Sequence, residues 1–188
     1  MYSLVLGSAS PRRSDLLKQA GLSFTVRPAE VEEFIDKSMT PNAAVLHLAE
    51  KKNQALNLRN KEVILTADTV VVWQDNILGK PSSYHEANQM LNNLSGSWHN
   101  VYTGVCIRNE VQQRSFEVCT RVKFFPLTHE EIERYLEHEE AWDKAGAYGI
   151  QGKGGLFVER IEGDYLSVVG LPLSRVVREL GRFNIGIG

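Results

Sequence analysis

The chain has 188 residues, of which 43% are hydrophobic and 23% are charged, and its net charge is -2. This length is enough to bury a full core, either as one domain or as two small lobes. Because the net charge gives no general basic field, the composition argues against a protein whose main partner is long nucleic acid. A small anionic ligand is compatible with it, since such a ligand needs only a local cluster of cations.

The sequence carries no recognisable targeting signal. It has neither a basic segment followed by an apolar core at its start nor an apolar run of about 20 residues. We therefore expect a cytoplasmic protein without a membrane span. Cys106 and Cys119 lie in strand-like sequence without C-x-x-C spacing, so we expect buried or half-buried thiols and neither a disulfide nor a metal role.

In the first half of the chain, strands alternate with helices. A capping residue followed by proline predicts helices that begin at Pro11 and Pro41 and run to about Ala20 and Leu58. Apolar, β-branched runs predict strands over Tyr2–Leu6, Phe24–Arg27, Val63–Leu65 and Val70–Trp73.

The second half predicts a hairpin flanked by helices. Its two long β segments, joined by a polar turn near Asn109, are His99–Arg108 and Ser115–Phe125. Three helices are expected: over His85–Leu94, from the capping box at Thr128 to about Glu139, and from Pro172 to about Leu180. Two further strands are expected over Leu156–Ile161 and Tyr165–Val169. This alternation predicts an α/β protein with a mixed sheet.

The segment Ser8–Arg13 is the first candidate for ligand binding. It follows the first strand and opens the first helix, with Ser10 as the candidate N-cap and Pro11 as the first helical residue. Arg12 and Arg13 in the first turn are unfavourable at the positive end of a helix dipole unless an anion lies nearby. Phosphate is the candidate anion, because a helix N-terminus offers it backbone N–H donors.

Asp68 is the candidate for metal or acid–base chemistry. It lies between two β-branched runs, where a carboxylate is costly to bury without a partner. It is either a turn aspartate between two strands, or a general base or ligand for Mg²⁺ or Mn²⁺. Metal-assisted phosphoryl chemistry needs several cations and a few carboxylates, and the chain offers Arg12, Arg13, Lys52 and Lys80 with Asp68 and Glu33.

The loop Asp143–Gly155 carries five glycines and Gln151. Glycines let a backbone approach a ligand closely and present N–H groups to it, and the Gln151 amide has the donor and acceptor needed to read a nucleobase edge. The alternative is a tight connection between two elements. Rossmann and P-loop sites are not supported, because neither glycine motif occurs in its required context.

Taken together, these segments resemble the Maf family of nucleoside triphosphate pyrophosphatases. The matching segments, in order along the whole chain, are Ser8–Arg13, Ala67–Thr69, Gly79–Pro81, Leu94–Gly96, Asp143–Gly152 and Val169–Pro172. The family usually has glycine where this chain has Thr66, and we expect the Thr66 side chain to narrow the approach to Asp68.

The resemblance implies cleavage of a nucleoside triphosphate between its α and β phosphates, with a divalent metal cation, Mg²⁺ or Mn²⁺. It also implies a homodimer of single Maf-like domains over residues 1–188, each in one or two lobes. The implied fold is a twisted mixed β-sheet with flanking helices around a central cleft, similar to inosine triphosphatase.

The resemblance also assigns the family's functional positions to individual residues of this chain. The branch that the chain resembles acts on dTTP and UTP and is marked by residues that fall on Arg12, Thr69 and Gln151. The family's proposed base falls on Asp68, and Glu33 is implied as a second carboxylate near the metal. The remaining pocket positions, which face the phosphates, fall on Ser8, Arg13, Lys52 and Lys80.

Three other functions stay open. Because family members are linked to arrest of septum formation, the chain is alternatively a binding module in cell division, acting on a protein or a nucleic acid. A pyrophosphatase for modified pyrimidine nucleotides would accept dTTP and UTP as stand-ins. An inosine triphosphatase would prefer purines.

Overall fold

The computed structural model describes residues 2–36 and 38–187. The chain forms two compact units: Met1–Asp68, Thr103–Val118 and Gly170–Gly188 make the first, and Thr69–Tyr102 and Cys119–Val169 the second. One domain over residues 1–188 stays a prediction.

The described residues contain strands, α-helices and short 3-10 helices. The strands are β1 Ser3–Leu6, β2 Phe24–Val26, β3 Glu62–Trp73, β4 Asn76–Leu78, β5 Trp98–Arg108, β6 Gln113–Phe124 and β7 Val158–Glu162. The α-helices are α1 Pro11–Gln19, α2 Pro41–Gln54, α3 Tyr84–Leu94, α4 His129–Leu136, α5 Tyr165–Val169 and α6 Leu173–Gly181. The 3-10 helices are Glu139–Ala141, Ala145–Ala147 and Lys153–Phe157.

The strands form a mixed sheet with the order β2-β1-β3-β5-β6-β7, and β4 pairs with β3. Strands β2 and β3 run parallel to β1, whereas β4 is antiparallel to β3 and β7 is antiparallel to β6. The predicted hairpin is confirmed, since β5 and β6 are neighbours joined by the turn at Asn109. Together with the helices, this sheet confirms the predicted α/β class.

In the first unit, α1 and α2 begin at Pro11 and Pro41, as predicted. Ser10 occupies the cap position of α1, but its side chain makes no capping hydrogen bond, and the same holds for Thr40 at α2. Each helix start therefore depends on the fixed φ of the proline rather than on a capping hydroxyl. Helix α2 ends at Gln54, before the predicted Leu58.

The prediction of two strands separated at Asp68 is wrong. Strand β3 runs without a break, because it pairs with β1 through Leu65 and with β4 from Val71 onward, which keeps the residues between them extended. The chain turns only at Gln74 and Asp75, both at positive φ. Asp68 is therefore a strand residue, and the alternative of a turn aspartate is ruled out.

The second unit corrects two further predictions. Tyr165–Val169 is a helix rather than a strand, because the Asp164 carboxylate accepts hydrogen bonds from the Leu166 and Ser167 amides and caps it. Leu156 lies in a 3-10 helix, so the last strand begins at Val158. The capping box at Thr128 is confirmed.

Both cysteines are free. Cys106 is buried as predicted, and burial raises the pKa of its thiol to about 11. Cys119 is exposed, which contradicts the prediction, because its position on β6 faces solvent. No helix of the described residues has both the length and the apolar character needed to cross a membrane.

Glu62, at the start of β3, makes a two-point ion pair with Arg27. Arg27 Nη1 is 3.1 Å from Glu62 Oε1, and Arg27 Nη2 is 2.8 Å from Glu62 Oε2. The hydrogen bonds from Arg27 lower the pKa of Glu62, against the opposite effect of burial. The resulting stabilisation is present above the unfolded-state pKa and is lost as the pH falls through the lower folded-state pKa.

We expect Glu62→Gln to lower the free energy of unfolding at pH 7 by about 1–3 kcal/mol, since it removes a charge-assisted pair. The difference should shrink as the pH falls below about 4. Urea denaturation across this pH range measures it, with the exposed strand residue Glu159→Gln as the control. A difference that does not change with pH would contradict the ionic role of Glu62.

Candidate active site

Lys52 is the centre of a charged cluster in the first unit. It lies in the last turn of α2 and is only 9% exposed. Its Nζ contacts Asp68 Oδ1 and is 2.8 Å from Glu33 Oε1. Asp68 is 7% exposed on β3, whereas Glu33 comes from the exposed segment between β2 and α2. One buried ammonium therefore holds two carboxylates from separate parts of the chain.

Asn53 and Arg108 fix the end of α2 that carries Lys52. The fully buried Asn53 donates through Nδ2 to the carbonyls of Ile64 and Cys106, at 3.0 and 3.2 Å. Arg108 donates to Asn53 Oδ1 at 2.7 Å and to the carbonyls of Asn53 and Leu56. A cation on these last carbonyls complements the negative end of the helix dipole.

Sequence reasoning missed both residues. An asparagine on the inner face of a helix, followed much later by a strand arginine, leaves no pattern in a single sequence. The only available signal was a polar residue at a position that the helical period places inside.

Thr66 also ties β3 to α2. Its Oγ1 donates to the carbonyl of Ala49 at 2.7 Å, about one turn before Lys52. Gly7 makes room for the Thr66 methyl, since a Cβ on Gly7 would lie 2.5 Å from it. The Thr66 side chain is fully buried. Its role is thus to join strand and helix, which differs from the expected narrowing of the approach to Asp68.

Arg13 joins the same cluster from the start of α1. Its Nη1 donates to Ser8 Oγ at 3.1 Å, and its Nε donates to the Gly170 carbonyl at 2.8 Å. Burial lowers the pKa of Arg13, whereas the carboxylates of Asp68 and Glu33 oppose this change. The guanidinium stays protonated at physiological pH. The half-buried Arg12 follows Pro11 in the same helix, and its charge also acts on Arg13.

The two carboxylates fit a hard divalent cation. Asp68 and Glu33 contact one ammonium, so their oxygens converge on one place. Mg²⁺ is commonly held by one or two carboxylates, with substrate phosphates and water as its other ligands. Within residues 2–36 and 38–187, no group of three or more His, Cys, Asp or Glu is arranged for a metal. Two carboxylates would leave the other coordination positions of such a cation to further ligands.

The other predicted site residues belong to the second unit. Thr69 follows Asp68 in β3 and is half-buried, while Lys80 and Gln151 are exposed. The Gly146 amide donates to the Gly79 carbonyl at 3.0 Å, which links the glycine-rich loop to the segment that carries Lys80.

Most of the backbone amides described for the glycine-rich loop donate hydrogen bonds to other groups of the protein. The Gly149 amide donates to the Tyr135 hydroxyl, and the Lys153 and Gly154 amides donate to the Glu140 carboxylate. The Gly152 and Gly155 amides donate to carbonyls within the loop. We expected the loop to present its amides to a ligand, and for these five amides that expectation is wrong. They bond within the protein, as the alternative of a tight connection between two elements predicts.

We expect Thr66→Val, which keeps the shape but removes the hydroxyl, to lower the free energy of unfolding by about 1 kcal/mol. Denaturant melts measure this change. Thr25→Val on the exposed face of β2 is the matched control, and an equal effect of the two substitutions would contradict the role given to the hydroxyl.

Comparison with known proteins gives a consistent result. The family described as Maf-like protein matches residues 3–183. The dTTP/UTP pyrophosphatases of Bacillus cereus (strain ZK / E33L) and Bacillus anthracis are each 49% identical to this chain over 188 residues, which is 100% of this chain and 98% of each relative.

A solved structure supports the fold. A HAM1 protein from Coxiella burnetii aligns with a TM-score of 0.54 at 10% sequence identity, over 97% of this chain and 100% of that one. This likeness concerns the fold alone, and it confirms the predicted inosine triphosphatase-like class. With a family match over residues 3–183 and relatives matched along the full chain, the protein belongs to the Maf family.

Proposed function

We propose that this protein is a nucleoside triphosphate pyrophosphatase that converts dTTP and UTP to the monophosphate and pyrophosphate. The observation that carries the proposal is the Lys52 ammonium in contact with Asp68 and Glu33, in a member of the Maf family. The full-length relatives, named as dTTP/UTP pyrophosphatases, support this choice of substrates.

The cations of the site would bind the triphosphate. Arg13 is well suited to this, because its contacts with Ser8 and Gly170 hold the planar guanidinium before a ligand arrives. The start of α1 adds backbone donors, since the Ser10 side chain does not cap them. We assign phosphate binding to Ser8, Arg12, Arg13, Lys52 and Lys80.

The two carboxylates would serve the bond-breaking step. The water oxygen bonds to the α-phosphorus, the bond from the α-phosphorus to the bridging oxygen breaks, and pyrophosphate leaves with the electron pair. Asp68 would accept the proton of that water or hold the metal, and Glu33 would be the second metal ligand. A bound Mg²⁺ or Mn²⁺ would neutralise charge on the phosphate oxygens.

The base would be read by Arg12, Thr69 and Gln151. Uracil and thymine present an acceptor, O4, where cytosine presents an amino donor. A donor-only arginine favours the first pattern, and a glutamine amide can pair with O4 and N3–H together. The proposed mechanism thus gives base selection to Thr69 and Gln151, triphosphate binding and cleavage to the other residues, and a part in both to Arg12.

Three expectations stay predictions, two from the resemblance and one, the location, from the lack of a targeting signal in the sequence. They are the homodimer, the cytoplasmic location and a role in arrest of septum formation. A division phenotype that persists in a variant without Asp68 would point to a binding role independent of catalysis.

The test of the proposed function is pyrophosphate release from dTTP, UTP, CTP, dATP, dGTP and ITP, with Mg²⁺, with Mn²⁺ and with EDTA. We expect metal-dependent release that favours dTTP and UTP. A preference for purines would contradict the base-reading assignment. No release from any nucleotide would overturn the function in favour of the binding module.

We expect Asp68→Asn to lower kcat for dTTP by about 10²–10⁴-fold, because an amide neither accepts the proton nor binds the cation as a carboxylate does. Steady-state pyrophosphate release measures the change. Asp75→Asn is the control, since Asp75 is an exposed turn residue at positive φ, a conformation that asparagine tolerates. Turnover at the wild-type rate in Asp68→Asn would contradict its assigned role.

A further inference from the structure

The glycine-rich loop of the second unit folds around the carboxylate of Glu140. Glu140 Oε2 accepts from the Lys153 amide at 2.9 Å, and Oε1 accepts from the Gly154 amide at 3.4 Å. A Cβ on Gly152 would lie 2.4 Å from both oxygens, and one on Gly149 would lie 2.8 Å from Oε1. A side chain at Gly152 would therefore displace the Glu140 carboxylate from the loop.

A buried tyrosine extends this contact to the other side of the loop. Burial and the charge of Glu140 raise the pKa of Tyr135, and its hydroxyl accepts from the Gly149 amide at 3.3 Å. Tyr135 is 3% exposed, so the hydroxyl is held in place. The Lys144 ammonium, 2.8 Å from the Glu140 carbonyl, fixes the backbone of Glu140 itself.

These contacts lie on both sides of Gln151. Gly149 precedes it, and Gly152, Lys153 and Gly154 follow it, while the Gln151 side chain is exposed. The Glu140 carboxylate thus holds the backbone that follows Gln151, and the Tyr135 hydroxyl holds the Gly149 amide that precedes it. A base-reading amide must be held closely in place, because a displacement of about 1 Å loses its hydrogen bonds.

We propose that Glu140 is a positioning residue for base selection: by holding the loop backbone that directly follows Gln151, it sets the preference for dTTP and UTP and leaves the cleavage chemistry to other residues. This inference rests on the proposed function, in which Gln151 reads the base.

The experiment compares Glu140→Gln with Glu139→Gln, its exposed neighbour in the same 3-10 helix. Glu140→Gln keeps the length but turns one acceptor into a donor that faces the loop amides. We expect kcat/KM for dTTP and UTP to fall about 10–100-fold, mainly through KM, and kcat/KM for dGTP to change less than about threefold. Glu139→Gln should keep the wild-type ratio of dTTP to dGTP.

Two further variants separate positioning from general damage. Gly152→Ala places a methyl group against the Glu140 carboxylate and should lower the same ratio. The double variant Glu140→Gln with Gln151→Ala should be no less selective than Gln151→Ala alone. The reason is that Glu140 acts on selectivity only through the hydrogen bonds of Gln151 with the base.

The outcomes are distinct. If the wild-type protein does not prefer dTTP and UTP, the proposed function fails. If the wild-type protein has the preference and Glu140→Gln keeps it, or if all nucleotides lose equally, the inference on Glu140 fails. The thermal melt of each variant is measured alongside, and Gly152→Ala provides the test should Glu140→Gln not fold.

Discussion

The first unit is organised around a lysine ammonium buried between two carboxylates. A charge this far from water is costly unless it is paired, and Lys52 is paired with both Asp68 and Glu33. This requirement explains why the end of α2 is fixed by so many contacts: Thr66 bonds to Ala49, Asn53 bonds to two strands, and Arg108 holds the last carbonyls. A small shift of α2 would leave a buried charge without its partner.

The same pairing suits the proposed chemistry. A cation and a triphosphate entering this site would find two carboxylate oxygens already close together, with the side chains of Lys52 and Arg13 beside them. Such preorganisation reduces the reorganisation needed as charge develops in the transition state. The residues of the first unit that are proposed to bind phosphate and metal are Ser8, Arg12, Arg13, Glu33, Lys52 and Asp68.

Much of the architecture could be predicted from the sequence, because local signals and tertiary structure agree there. Proline after a capping position predicts the first residues of α1 and α2, and the predicted capping box at Thr128 is present at the start of α4. Secondary structure was predicted wrongly where a contact with residues distant in sequence, or a side-chain cap, determines the local conformation. Pairing of β3 with two strands keeps Asp68 extended, and the Asp164 cap turns an apolar, strand-like run into α5.

Some residues of the candidate site could likewise be predicted from the sequence, and others could not. Asp68 could be selected from its place between two β-branched runs, whereas Lys52 could be selected only as one of a set of cations and through the resemblance. Arg108 and Glu140 could not, because they act on backbone carbonyls and amides and leave no periodic pattern, and Asn53 left only the signal of a polar residue on the inner face of a helix. The glycines near Gln151 predict a close approach of the backbone to a ligand, whereas in the structure the Lys144 side chain and the Glu140 carboxylate approach Gly149, and the Glu140 carboxylate approaches Gly152.

The most direct test of the account is the kcat/KM for dTTP of Lys52→Met beside that of Lys51→Met. The two lysines are neighbours on α2, but the Lys51 ammonium contacts a backbone carbonyl, at Glu32, whereas that of Lys52 contacts two carboxylates. The account predicts a loss of about 10²–10³-fold or more for Lys52→Met and less than about tenfold for Lys51→Met. Equal losses, or full activity in Lys52→Met, would contradict it.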